Sequence, residues 1–155
     1  MKTPIKTAAL AAVLSLASLP ALAGDNAIGT GALALAVGIH NLYYQGRIND
    51  KSAFTLEVAS VSDFDYDNAS SPIDATGVGA SYKYYFSDYM DGGYFKAGLA
   101  NLNVSSGDDS VAGVIPIILG GFESRAGDNF VMGIEVGIGT TAGFGLLSFN
   151  LGATF

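Results

Sequence analysis

Five charged residues stand inside otherwise uncharged, partly apolar stretches of this chain: Arg47, Glu57, Lys83, Lys96 and Glu135. Three cations and two carboxylates confined together would pair, because a lone buried charge is far more costly than a matched one. Such a group has two uses. Fixed salt bridges would plug an interior, whereas pairs that exchange partners would line a narrow gated passage.

A second candidate is the acidic run DFDYDNASSPID at 63–74. Asp63, Asp65 and Asp67 alternate, Asn68 follows, and Asp74 closes the run. The spacing imitates a calcium loop, where alternate side-chain oxygens and a terminal acid converge on one hard cation. It departs from that loop in three ways: Asn68 replaces the turning glycine, Pro72 intrudes, and Asp74 stands where a bidentate Glu belongs. A solvated acidic loop is the plainer reading and a weak divalent-cation loop the sharper one. No metal is firmly assigned.

His40 is the only histidine. A lipid-modifying enzyme would need it beside a serine and an acid, but Ile39 and Asn41 are its neighbours. Ser60, Ser62, Ser70 and Ser71 could reach it only across strands, so an interfacial histidine is expected and no catalytic residue is assigned. The Gly-x-Gly steps in GIGT and GVGA precede no helical pattern, so they are strand glycines rather than phosphate loops. No cofactor is expected.

The elements that would position these residues are strands. Apolar residues alternate in FTLEVAS (54–60), GVGASYKYYF (77–86), YFKAGLA (94–100), FVMGIEVGIG (130–139) and LLSFNLGATF (146–155). This period of two is that of a sheet with unlike faces. All five charges fall opposite the apolar row, with Arg47 sharing its face with Tyr43 and Gln45. Eight strands are expected at about 27–38, 42–48, 52–63, 75–86, 93–104, 110–124, 130–139 and 144–155. Ile39–Asn41 would form a tight outer turn. The sixth strand reads as apolar on both faces, and Pro116, which has no N–H for a ladder, predicts a bulge there.

A sandwich would bury the apolar face, and a membrane barrel would turn it to lipid. Three features favour the barrel. The strands are long, as tilted membrane strands are. Turn signals alternate short and long: 49–51, a long polar stretch at 63–74, 87–93, 105–109 and 126–129. Aromatics gather near strand ends, where interfacial girdles lie: Tyr44, Tyr82, Tyr84, Phe86, Phe95 and Phe155. An eight-stranded interior is just filled by side chains, so the charge group reads as a plug.

Residues 1–23 carry Lys2 and Lys6, an apolar run and a terminal Ala21-Leu22-Ala23, the pattern of a cleaved export signal. That leaves 24–155 as one domain. It carries five basic and fourteen acidic residues, and so disfavours nucleic acid as a partner. The absence of cysteine excludes a disulfide framework and thiol chemistry.

The terminal SFNLGATF and the stretches GVGASYKYYF and GGYFKAGLA resemble strands of the small eight-stranded outer-membrane β-barrels of Gram-negative bacteria, the outer-membrane protein A, X and opacity-protein group. The resemblance implies an antiparallel up-and-down transmembrane barrel and a monomer in the outer membrane, among outer-membrane lipids and lipopolysaccharide. Phe155 would then belong to an insertion signal read by the barrel-assembly machinery. The expected function is non-enzymatic: a structural or surface-interaction barrel acting through acidic extracellular loops. A lipid-modifying enzyme using His40 and a narrow pore are the alternatives.

Overall fold

A computed structural model of the chain describes residues 26–32, 38–64, 72–138 and 147–155. The export signal at 1–23 lies outside them. Eight strands make up almost all of the described chain: β1 (Asn26–Gly31), β2 (His40–Asn49), β3 (Ser52–Phe64), β4 (Ile73–Tyr85), β5 (Gly92–Ser106), β6 (Asp109–Arg125), β7 (Phe130–Ile138) and β8 (Leu147–Thr154). Each pairs antiparallel with its sequence neighbours, and β1 pairs with β8, so the sheet closes into an up-and-down barrel. Closure removes the unpaired backbone of free sheet edges.

The ring has two unlike ends. The β2–β3, β4–β5 and β6–β7 connections gather at one, together with Asn26 and Phe155. The strand ends at Gly31 and His40, Phe64 and Ile73, Ser106 and Asp109, and Ile138 and Leu147 lie at the other. Here these are the turn end and the loop end. At the seam, Asn26 and Phe155 exchange backbone hydrogen bonds at 3.2 and 3.0 Å, so the terminal aromatic residue is tied into the ring.

Facing follows the period-two pattern. Val78, Leu99, Ile118, Ile134, Val136 and Leu147 are exposed on the outside, while Thr55, Glu57, Lys83, Lys96, Glu135 and Ser148 are buried inside. Tyr82, Tyr84, Phe86 and Phe95 are exposed toward the turn end, as expected of girdle residues. Tyr44 is not: Phe54 packs on it at 5.7 Å and its hydroxyl donates to Asn26, so it is covered rather than exposed.

Two local expectations are corrected. Ile39–Asn41 is not a turn, because His40 and Asn41 already lie in β2, paired with Ser60 and Ala59. Asn41 Oδ1 accepts from the Gly31 backbone N–H and the Thr30 hydroxyl, so it fastens β2 to β1 instead of reversing the chain. Pro116 makes no bulge against β5: the register runs evenly through Leu99↔Pro116. The described β6–β7 ladder begins only at Ile118↔Ile138, so Pro116 lies where no described pair with β7 needs its missing donor.

Candidate functional site: the charged lumen and the outer mouth

The lumen is built from neighbouring inward rows. β4 and β5 place Lys83 opposite Lys96 and Tyr85 opposite Tyr94. β7 brings Glu135 opposite Gly121, and β6 brings Glu123 opposite Gly133. Two lysines side by side would repel, and the carboxylates resolve this by alternating with them. Lys83 Nζ donates to Glu123 Oε1 at 2.5 Å and lies 4.0 Å from Glu135 Oε1. Lys96 Nζ lies 3.4 Å from the same Glu135 oxygen and makes a close ion pair with Glu57. The result is a zigzag, Glu57–Lys96–Glu135–Lys83–Glu123, across the lumen.

Neutral groups complete the cage. Gln45 accepts from Lys83 at 2.7 Å and donates to Tyr85 at 3.0 Å. The Tyr85 hydroxyl donates to Glu123 at 2.5 Å, and the Tyr94 hydroxyl donates to Glu135 at 2.8 Å. Lys83 Nζ also lies 4.1 Å over the Tyr94 ring, a favourable place for a desolvated ammonium. The bulky tyrosines fit because glycines face them. A Cβ on Gly121 would come within 2.5 Å of Tyr94, and one on Gly152 within 2.6 Å of the Tyr43 hydroxyl.

Below the charges, toward the turn end, the β4–β5 connection folds inward. Tyr89 and Met90 are buried, and Tyr89 stacks edge-on against Tyr85 at 5.6 Å. Met90 adopts φ 58°, a left-handed conformation uncommon for a non-glycine residue. Holding it there directs the turn beneath the barrel. Arg47 and Arg125 lie over the Tyr89 ring, each 5.7 Å from its centroid.

Of the five charges expected inside, Glu57, Lys83, Lys96 and Glu135 come together and Arg47 does not. Arg47 is on the inward row but at the rim, where it pairs with Asp50 in the neighbouring turn. Alternation gives the face of a residue, not its height. Glu123 was missed, because β6 read as apolar on both faces. Counting back from Glu123 by twos gives Gly121, Leu119 and Ile117, all on the inward row. The exchange of Arg47 for Glu123 changes the sign of the buried group: two lysines now face three glutamates.

The loop end differs. Asp65 and Asp67 lie outside the described residues, as does the side chain of Asp63, while Asp74 is exposed in β4. Among the described residues no group of three or more His, Cys, Asp or Glu side chains could hold a metal ion. His40 stands opposite Ser60 in the β2–β3 register and is exposed.

No family model and no curated relative matches the chain. Two solved structures of Ail, the attachment invasion locus protein of Yersinia pestis, are similar to it. One is 14% identical, covers 83% of this chain and 94% of that one, and has a TM-score of 0.35. The other, in complex with the heparin analogue sucrose octasulfate, is 15% identical with the same coverage and a TM-score of 0.37. The eight-stranded architecture rests on the strand register of the chain itself.

Proposed function

We propose that this is an outer-membrane barrel whose lumen is plugged by its own side chains, and that it acts without catalysis, through its outer end, as a surface-interaction protein. The observation that carries the reading is the apolar belt. Large apolar side chains are exposed around the ring, Val78 at 59%, Leu99 at 61% and Ile134 at 47% among them, while the mid-barrel charges Glu57, Lys83, Lys96, Glu123 and Glu135 are buried inside. So extensive an apolar surface is unfavourable in water and is what a lipid-facing barrel requires. Outer-membrane lipids and lipopolysaccharide would surround the belt, residues 1–23 would direct export, and Phe155 would serve the barrel-assembly machinery.

The zigzag of buried charge supports a plug over a pore, since the tyrosines and Gln45 occupy the space between the pairs. Asp63, Asp65, Asp67 and Asp74 are read as a solvated acidic rim. A polyanion such as the sulfated sugar bound in one Ail structure would be repelled by that rim.

The test is electrophoretic mobility, boiled against unboiled, of protein from a purified outer-membrane fraction. A shift is expected. Recovery as a soluble periplasmic protein with no shift would sink the reading. The register of His40 against Ser60 is the one observation that favours the lipid-modifying alternative, and an altered lipid A composition in a His40→Ala strain would establish it.

A further inference from the structure

The facing rule of the belt inverts at the loop end of β3, β4 and β5, and β6 beside them is apolar on both faces. β3 to β6 are the longest strands in the ring, and the ends of β4, β5 and β6 rise together in continuous register, Ile73↔Ser106 on one side of β5 and Ser106↔Asp109 on the other, with β3 joining through a register shift between Val61 and Phe64. In β3, β4 and β5 the outward positions turn polar, Ser60, Thr76, Asn101, Asn103 and Ser105, and β6 ends in outward Ser110, while its Ala112 and Val114 stay apolar on the outside. The inward positions turn apolar: Val61, Ala75, Leu102, Val104, Val111 and Ile115. Polar outward faces place the wall above the lipid, where water wets its back. Its apolar front leans over the mouth of the barrel. Leu102, Val104 and Ile115 there are half-buried, and Val111 is 73% exposed. At its foot the small residues Ala59, Ala75 and Gly77 leave a shallow apolar hollow beside Leu102.

Charge is as one-sided as polarity. Among the described residues Asp74, Asp108 and Asp109 are exposed at this end. The cations of residues 24–155 are elsewhere: Lys83 and Lys96 are buried at mid-barrel, and Arg47, Lys51 and Arg125 lie toward the turn end. An apolar face with a purely acidic border selects its occupant. A polyanion is repelled, and a second copy would bring the same acidic border against this one. An apolar surface flanked by Lys or Arg satisfies both features. We infer that the outer mouth is a docking site for a cationic amphipathic peptide segment presented from outside the cell, its apolar side chains on the β5–β6 face and its cations toward Asp108 and Asp109. The inference rests on the outer-membrane reading above.

The test uses the full chain in phosphatidylcholine nanodiscs and a fluorescent, short Leu/Lys helical peptide followed by anisotropy, with empty discs as the reference. Saturable binding above empty discs is expected, and a peptide with Glu in place of Lys should not bind. Val104→Asn with Val111→Asn should weaken binding about tenfold, and Asp108→Asn with Asp109→Asn about threefold, an effect that salt should also reproduce. Ser110→Asn, on the wet back of the wall, should leave binding unchanged. No binding above empty discs, or unchanged affinity in the Val104/Val111 variant while its boiled-versus-unboiled shift persists, overturns the docking site alone. Loss of that shift in the unsubstituted chain overturns the barrel reading and the docking site with it.

Discussion

The middle of the barrel and the outer ends of β3–β6 are one continuous sheet with opposite insides. At mid-height Thr55, Lys83 and Lys96 face inward, and Phe95, Ala97 and Leu99 outward. A few residues farther along β5, Leu102 and Val104 face inward, and Asn101 and Asn103 outward. Nothing in the backbone changes between them, because the register is unbroken. On the outer-membrane reading proposed above, what changes is the medium behind the sheet. A strand crossing from lipid into water exchanges the demands on its two faces, and its sequence records the level of the crossing. In β5 the crossing falls between Leu99 and Asn101, and in β4 between Val78 and Thr76.

Substitutions can break or sharpen that comparison. The largest effect is expected for Lys83→Met, which leaves Glu123 and Glu135 without their shared cation. It should cost about 3–5 kcal/mol in urea unfolding from lipid vesicles, and Glu123→Gln in the same chain should recover part of the loss. An unchanged midpoint would mean that the zigzag carries no structural burden. Next is the pair Ile134→Arg and Asn103→Arg, both outward-facing but at different levels. The first should cost about 2–4 kcal/mol and the second within about 0.5 kcal/mol. Equal costs would erase the lipid boundary drawn here.

Gly121→Val should follow at about 1–3 kcal/mol, since the Tyr94 ring occupies the space the new side chain needs. Its near-UV signal should change with it. The smallest effect is expected for Arg47→Ala, within about 1 kcal/mol, because its partner Asp50 is 86% exposed. A loss as large as that of Lys83→Met would return Arg47 to the buried network.

Much of this fold was legible in the alternation itself. Strand identity and the inward facing of Glu57, Lys83, Lys96 and Glu135 follow from a period of two, which is the geometry of the strand. What alternation does not encode is height along the barrel, and that is why Arg47 read as part of the network. It is equally silent on turns. Tyr89 and Met90 sit in SDYMDGG, a run rich in turn residues, and nothing in their spacing announces that they fold back under the lumen. Glu123 was hidden for another reason. Outward Val114 and Ile118 and inward Ile115, Ile117 and Leu119 make β6 apolar on both faces over most of its length, so no alternation marks Glu123 as inward.

The first strand has a consequence of its own. β1 has six residues, and its inward positions are Ala27, Gly29 and Gly31. None of these can set a register by its own side chain. The alignment comes from neighbours: Tyr43 lies over Gly29 and Gly152, and Asn41 holds Thr30 and Gly31. β1 is therefore a passive closing stave, held by four register pairs to β2 and five to β8. With so few pairs on either side, β1 is where amide hydrogens should exchange first.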